Sequence, residues 1–119
     1  MAGASVYLQA GVVSYSNSAK SDILGVNSDD IARYGAVSES VAIQMAEGVK
    51  RVGKSDYAIS TTGIAGPTGG SVEKPVGTVW IGIVTPERTF AVLKNCGTDR
   101  GQIVARATAY AIKLLYDNL

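Results

Sequence analysis

Three residues near the start of the chain have side chains that could carry out nucleophilic catalysis: Ser5, Tyr15 and Lys20. The sequence contains no histidine, which excludes a Ser-His-Asp triad and histidine metal ligands within the chain. A serine nucleophile still needs a base, and a lysine with a lowered pKa is the usual substitute. Tyr15 would then relay a proton or donate one to the leaving group. Spacing alone favours a simpler interpretation, in which these are a loop serine, a strand-end aromatic and a solvated lysine.

The glycine-rich run TTGIAGPTGGSVEKPVG, residues 61–77, is the second candidate for chemistry. Ordering such a run is costly, because glycine loses the most backbone freedom on folding. A compact chain keeps it where main-chain N–H groups must approach a phosphate or a developing oxyanion closely. The alternative is a flexible hairpin connection, although a loop this long is uncommon in a compact domain unless it is functional or disordered. The residues predicted to form the cradle are Thr61, Thr62, Gly63, Ala65, Gly66, Gly69 and Gly70.

Two more residues with reactive or charged side chains come after the last predicted strand. Arg100 follows Asp99 at the start of a predicted helix and could bind a phosphate or carboxylate through two parallel hydrogen bonds. Cys96 would be a nucleophile only in a cationic or helix-N-terminal setting. The simpler expectations are a surface arginine near a helix cap and a buried, inert thiol.

The composition predicts one domain, residues 1–119, and limits its partners. Apolar residues make up 46% of the chain and charged residues 18%, which suits a single continuous core. The net charge is +1 without a basic or acidic block, which argues against a nucleic-acid-binding protein. No apolar run approaches the roughly 20 residues that span a bilayer, and we identify no signal peptide. Because Cys96 is the only cysteine, no intrachain disulfide is possible, and we expect a cytoplasmic protein.

Capping residues and hydrophobic periodicity predict four helices. Gly25, Gly35 and Gly53 are natural stops, and the candidate N-caps are Ser16 or Asn17, Ser28, and Thr98 or Asp99. The clearest helix has an apolar stripe that recurs every three or four residues. The predicted helices lie at 18–24, 29–34, 38–52 and 99–116.

Runs rich in β-branched and aromatic residues predict four strands. They lie at 6–14, 56–61, 78–84 and 88–94. The run at 78–84 is almost continuously apolar, so we expect that strand to be central. The expected fold class is therefore α/β, with mixed α+β layers, in which helices pack on a mixed sheet.

Three long motifs resemble the C-terminal domain family of CinA. They are GVVSYSNSAKSDILGV, YGAVSESVAIQMAEG and TTGIAGPTGGSVEKPVGTVWIGI, in that order, and the resemblance covers nearly the whole chain. The family includes stand-alone nicotinamide-nucleotide amidases. The resemblance implies a CinA C-terminal-like fold and hydrolysis of the carboxamide of nicotinamide mononucleotide (NMN) to nicotinate mononucleotide and ammonia, in pyridine nucleotide recycling.

The resemblance also assigns roles to individual residues. Ser5 matches the family's proposed nucleophile, and Tyr15 and Lys20 match the tyrosine and lysine of its YSNxxK motif. Because the pyridinium charge of the substrate activates the carboxamide, no metal or other cofactor is implied. The substrate-binding positions match Thr62, Gly63, Ala65, Gly66 and Arg100.

The chain departs from the family pattern in three places. It reads GTDR around Arg100 where the family has a GDR-type motif, and it has Val104 where many relatives place a basic residue. The family also carries about forty residues ahead of this start, including a strand, without which an apolar sheet edge would be exposed. We therefore expect an N-terminally truncated chain that forms a homo-oligomer, a dimer or larger. The alternatives are a non-catalytic nucleotide-binding or assembly module, and a fragment that folds only as an oligomer.

Overall fold

The computed structural model describes residues 8–119. Their elements, in chain order, are α1 (Asn17–Leu24), α2 (Ser28–Tyr34), α3 (Glu39–Gly53), β1 (Ala58–Gly63), β2 (Thr78–Val84), β3 (Thr89–Asn95) and α4 (Arg100–Asp117). The prediction of an α/β fold is confirmed, with helices packed on a sheet. The predicted helices and the last three predicted strands are all present, with ends shifted by at most two residues.

The predicted strand at 6–14 is wrong for its described part, because residues 8–14 form neither strand nor helix. Val12 packs against the apolar cluster around Leu24 and Met45, whereas Val13 is exposed. Strand propensity measures how well a side chain fits a pleated, half-buried surface, and this segment has no strand beside it. Val6 and Tyr7 lie outside the described residues.

Polar caps begin each helix. The side chains of Ser16, Asn27, Ser38 and Asp99 each accept a hydrogen bond from a backbone N–H in the first turn of the helix that follows. The prediction of Ser28 as a cap is wrong by one residue, because the amide oxygen of Asn27 takes that role. Gly25 ends α1 with φ of 68°, while α3 runs through Gly53 and ends at Lys54.

The sheet has the order β1-β2-β3, and all the described strands are antiparallel. β2 is central, as predicted. The expectation of a mixed sheet is not met within residues 8–119. Residues 64–77 return the chain from β1 to β2 as a long hairpin, and a short turn joins β2 to β3. Parallel strands would need a crossover connection between them, and these strands have none.

Helices cover both faces of the sheet. Because successive side chains of a strand point to opposite faces, even-numbered positions of β1 and β2 face α3 and odd-numbered positions face α4. On the α3 face, the Ser60 hydroxyl donates to the carbonyl oxygen of Ala42 at 2.6 Å. On the α4 face, Val79 and Ile81 pack against Ile103. The domain therefore has three layers.

α1 and α2 pack against α3 rather than against the sheet. Leu24, Ile31 and Met45 belong to one buried cluster that joins the three helices. α1 approaches α3 closely at Gly48, where a Cβ atom would lie 2.1 Å from the carbonyl oxygen of Leu24. The first helix of the chain is thus fixed on the α3 side of the sheet. No helix within residues 8–119 has the length and hydropathy needed to cross a membrane.

Candidate functional site

The glycine-rich loop, residues 64–77, lies at the end of the sheet where β1 ends and β2 begins. Its stem is closed by hydrogen bonds from Ile64 N to Thr78 O at 2.9 Å and from Gly77 N to Ile64 O at 2.8 Å. Within the loop, Ser71 N donates to Lys74 O at 2.9 Å. The loop is therefore an ordered element with its own backbone hydrogen bonds, as the functional interpretation of the run requires.

Two cationic side chains attach the loop to helices on opposite faces of the sheet. Arg100, the first residue of α4, donates from Nη1 to the carbonyl oxygen of Gly66 at 2.9 Å. Lys74 donates from Nζ to the carbonyl oxygen of Tyr34 at the end of α2. The loop thus crosses the end of the sheet and contacts both helical layers.

Thr62 is the last buried residue of β1 before the loop. Its side chain is only 7% exposed, and its hydroxyl donates to the carbonyl oxygen of Ala36 at 2.8 Å. Ala36 belongs to the connection between α2 and α3. The hydroxyl proton of Thr62 is therefore engaged by the backbone, whereas the oxygen keeps the ability to accept a hydrogen bond.

The next loop positions face the other layer. Gly63 and Ala65 line a cavity of about 170 Å³ between β1 and α4, together with Ile103 and Val104. Val104 thus contributes an apolar side chain to this cavity.

Lys20 lies on α1 with its side chain buried, 8% of it exposed. Its Nζ donates to the carbonyl oxygen of Ser14 at 3.1 Å. Burial lowers the pKa of the Lys20 amine, because desolvation disfavours the charged form. A lysine in this setting loses its proton at a lower pH than a solvated lysine and is suited to act as a base.

Of the other two residues predicted to be catalytic, Tyr15 is described by the structure and Ser5 is not. The side chain of Tyr15, immediately before the N-cap of α1, is 93% exposed. Ser5 lies outside the described residues. The pairing of Ser5 with Lys20 therefore stays a prediction.

The sheet separates the predicted site residues into two groups. Lys20 and Thr62 belong to the α3 side, where α1 packs on α3 and the Thr62 hydroxyl reaches the α2–α3 connection. Gly63, Ala65 and Arg100 belong to the α4 side. The glycine-rich loop is the element that connects the two groups.

Lys74 is the residue at this site that the sequence did not single out. Its position in the loop and its positive charge were visible in the KPVG motif, and cations favour the C-terminal ends of helices. No pattern in the sequence, however, pairs it with Tyr34, which lies forty residues earlier in the chain.

A larger cavity, of about 550 Å³, lies at the opposite end of the sheet. Charged side chains of α3 and of the β2–β3 turn line it, including Lys50, Lys54 and Glu87. It contains none of the predicted site residues, so its size does not make it the reaction site.

Cys96 is fully buried, and burial raises the pKa of its thiol. This setting agrees with the expectation of an inert thiol. No group of three or more acidic or cysteine side chains placed to hold a metal ion occurs within residues 8–119.

Comparison with characterised sequences identifies relatives along almost the whole chain. The nicotinamide-nucleotide amidohydrolase PncC of Escherichia coli K12 is 44% identical over 117 residues, which make up 98% of this chain and 71% of that protein. A CinA-like protein of Anaeromyxobacter sp. strain K is 46% identical over 113 residues, 95% of this chain and 28% of that protein. This chain therefore corresponds to most of the shorter relative and to about a quarter of the longer one.

Crystal structures of related proteins share the fold. The competence damage-inducible protein A from Klebsiella pneumoniae superposes with a TM-score of 0.92 at 32% identity, over 98% of this chain and 73% of that one. The competence/damage inducible protein CihA from Agrobacterium tumefaciens superposes with a TM-score of 0.85 at 36% identity, over 96% and 72%. The model of the CinA C-terminal domain family matches residues 1–119. The chain therefore belongs to the CinA C-terminal domain family.

Proposed function

We propose that this chain is an amidohydrolase that converts NMN to nicotinate mononucleotide and ammonia. The observation that carries the proposal is the burial of the Lys20 amine, which lowers its pKa, on the side of the sheet to which the Thr62 side chain points. The homology to a nicotinamide-nucleotide amidohydrolase across 98% of the chain supports the same reaction.

The reaction would proceed through an acyl-enzyme. The neutral amine of Lys20 takes the proton of the Ser5 hydroxyl, and the serine oxygen forms a bond to the carboxamide carbon. The carbon–nitrogen bond then breaks, and the proton held by Lys20 passes to the leaving group, with Tyr15 available as a relay. Water attacks the resulting ester, which releases nicotinate mononucleotide and restores the serine hydroxyl.

Main-chain N–H groups of the loop would stabilise the oxyanion. The Thr62 hydroxyl donates to Ala36 in this structure, so it would have to leave that carbonyl before it could donate to the substrate. Loss of one oxyanion donor typically raises the barrier by about 2.7–4 kcal/mol. We therefore assign the oxyanion to backbone donors and give Thr62 the task of holding the loop stem.

Arg100 would bind the 5′-phosphate of the substrate. One of its guanidinium nitrogens holds Gly66, and the planar group has further N–H donors that point away from that bond. The same side chain would thus fix the loop and contact the phosphate, which supplies charge without a metal ion.

The proposal is tested by measuring ammonia release from NMN by the wild type and by Ser5→Ala and Lys20→Met variants. We expect each variant to lose at least about a hundredfold in kcat, since loss of general base catalysis typically costs 10²–10⁴. Ser18→Ala and Lys113→Met are controls, because they remove the same types of side chain from exposed positions. Wild-type turnover in either test variant would refute that residue's role.

A second candidate is a non-catalytic nucleotide-binding module. The 93% exposure of Tyr15 and the hydrogen bond from the Thr62 hydroxyl to Ala36 favour it, since neither hydroxyl is hydrogen-bonded to the Lys20 amine in this structure. Calorimetry distinguishes the two functions: NMN binding without ammonia production would establish the module, and turnover would exclude it.

A further inference from the structure

The side chain of Lys74 contacts the end of α2. Its Nζ donates to the carbonyl oxygen of Tyr34, at the negative end of the helix. The amine also lies against Gly35, where a Cβ atom would be 2.9 Å from Nζ. Gly35 has φ of 83°, a conformation that side chains disfavour, so glycine suits this position.

The backbone around Lys74 is itself fixed. Lys74 N donates to the Ser71 hydroxyl at 3.0 Å, and Ser71 N donates to Lys74 O at 2.9 Å, which closes a turn. The hydroxyl and N–H of Thr78 both donate to Pro75 O, at 2.6 Å and 3.0 Å. The origin of the lysine side chain is therefore held between a turn and the start of β2.

The end of α2 and the connection that follows it receive hydrogen bonds from residues near both ends of the loop. Thr62, which precedes the loop, donates to Ala36, and Lys74, near the end of the loop, donates to Tyr34. The two loop ends are thus anchored on carbonyl oxygens only two residues apart.

We propose that Lys74 is a positioning residue for the glycine-rich loop in amide hydrolysis, acting through the carbonyl oxygen of Tyr34. This inference rests on the proposed function. Lys74 does not contact the substrate in this scheme. Its bond to α2 holds the backbone donors of the loop where the oxyanion forms, while Arg100 holds the loop from the α4 side.

The hydrogen bond from Lys74 to Tyr34 is exposed. Its effect on the stability of the domain can therefore be measured separately from its effect on the position of the loop. Exposed charged contacts contribute little to global stability because water competes for both groups. Loss of the bond should therefore loosen the loop without unfolding the domain. A displacement of about 1 Å at a reacting centre, by contrast, can reduce a rate by about a hundredfold.

The test compares Lys74→Gln, which lacks both the charge and the reach, with Lys74→Arg, which keeps both. Lys50→Gln is the matched control, because Lys50 lies on α3 beside the cavity at the far end of the sheet. Amide hydrogen exchange of residues 64–77, the melting temperature, and kcat and KM for NMN are measured for each variant. The exchange measurement needs no substrate.

We expect Lys74→Gln to speed exchange in the loop and to lower kcat about tenfold or more, with an unchanged melting temperature and with recovery in Lys74→Arg. Unchanged loop exchange would overturn the proposal, and so would faster exchange with unchanged kcat/KM. A wild type that is inactive on NMN would refute the proposed function. In that case the exchange data would still decide whether Lys74 holds the loop.

Discussion

Lys20 places a primary amine where its charged form is disfavoured. The side chain is buried, and the carbonyl oxygen of Ser14 is its hydrogen-bond partner among the described residues. A carbonyl oxygen offers only a partial charge, so it does not replace the hydration that the ammonium loses. The position is therefore costly for a protonated lysine, and such costs are common where an enzyme needs a base.

This setting predicts a pH-dependent contribution to stability. Because the pKa of Lys20 is lower in the folded state than its ordinary value of 10.5, the unfolded chain binds more protons between the two values. The free energy of unfolding of the wild type should therefore rise relative to that of Lys20→Met as the pH approaches 10.5. Denaturant unfolding at several pH values measures this difference, and Lys113→Met corrects for removal of a lysine in general. A difference that stays constant or falls with pH would contradict the account.

Thr62 is joined to the connection between α2 and α3 by a single, partly buried hydrogen bond. Thr62→Val preserves the shape of the side chain but leaves the carbonyl oxygen of Ala36 without this donor. We expect it to lower the free energy of unfolding by about 0.5–1.5 kcal/mol, the usual net contribution of one hydrogen bond, because Ala36 is only partly buried. Thr62→Ser keeps the hydroxyl and should be affected less. Equal stability of the valine variant and the wild type, measured by urea unfolding, would show that Ala36 finds another partner.

At the scale of elements, the α3 layer depends on close backbone contacts. A Cβ atom at Gly82 would lie 2.4 Å from the carbonyl oxygen of Ala42 and 2.6 Å from the Ser60 hydroxyl. The obstacle is mainly the backbone of a packed helix, which cannot move aside without disturbing β2. β2 and α3 can therefore pack this closely because Gly82 has no side chain.

Gly82→Ala should therefore destabilise the domain by about 1–3 kcal/mol, the range for overpacked cores. Gly11→Ala is the matched control, because no atom lies within 4 Å of the position that its Cβ would occupy. Thermal unfolding of both variants measures the effect. The account would be wrong about this contact if Gly82→Ala melted at the temperature of Gly11→Ala.

The elements that the sequence predicted well are those with local signals. The caps at Ser16 and Asp99 and the stop at Gly25 act within one turn of the chain, so their residues identify them. The predicted strand at 6–14 lacked such a signal. Its described part has the composition of a strand, but pairing depends on a neighbouring strand, which no local pattern can supply.

At the scale of the whole molecule, the sheet explains why the site was only partly predictable. The sequence singled out Lys20, Thr62, Gly66 and Arg100 as candidate site residues. The family resemblance assigned all four to one active site. Their division between the two faces follows from strand alternation and from packing of helices far apart in sequence. The hydrogen bonds from Lys74 to α2 and from Arg100 to Gly66 are likewise long-range contacts that no spacing rule predicts.

α4 carries apolar side chains on its exposed surface, where they could contact another copy of the chain. Ile112 and Tyr116 are exposed on this helix, at 59% and 75%. We propose that the chain forms a homo-oligomer that covers such apolar side chains. Sedimentation of the wild type and of an Ile112→Lys variant measures this, and we expect the charge to shift the equilibrium towards the monomer. A wild type that stays monomeric at high protein concentration would contradict it.

The central claim is that the neutral amine of Lys20 removes a proton during hydrolysis of NMN. The pH dependence of kcat/KM for NMN tests it most directly, because this profile reports the ionisations of the free enzyme. We predict that the rate rises with pH to a plateau below 10.5, and that Lys20→Arg, which cannot lose its proton in this range, is inactive throughout. A Lys20→Arg variant with the activity and profile of the wild type would contradict the account.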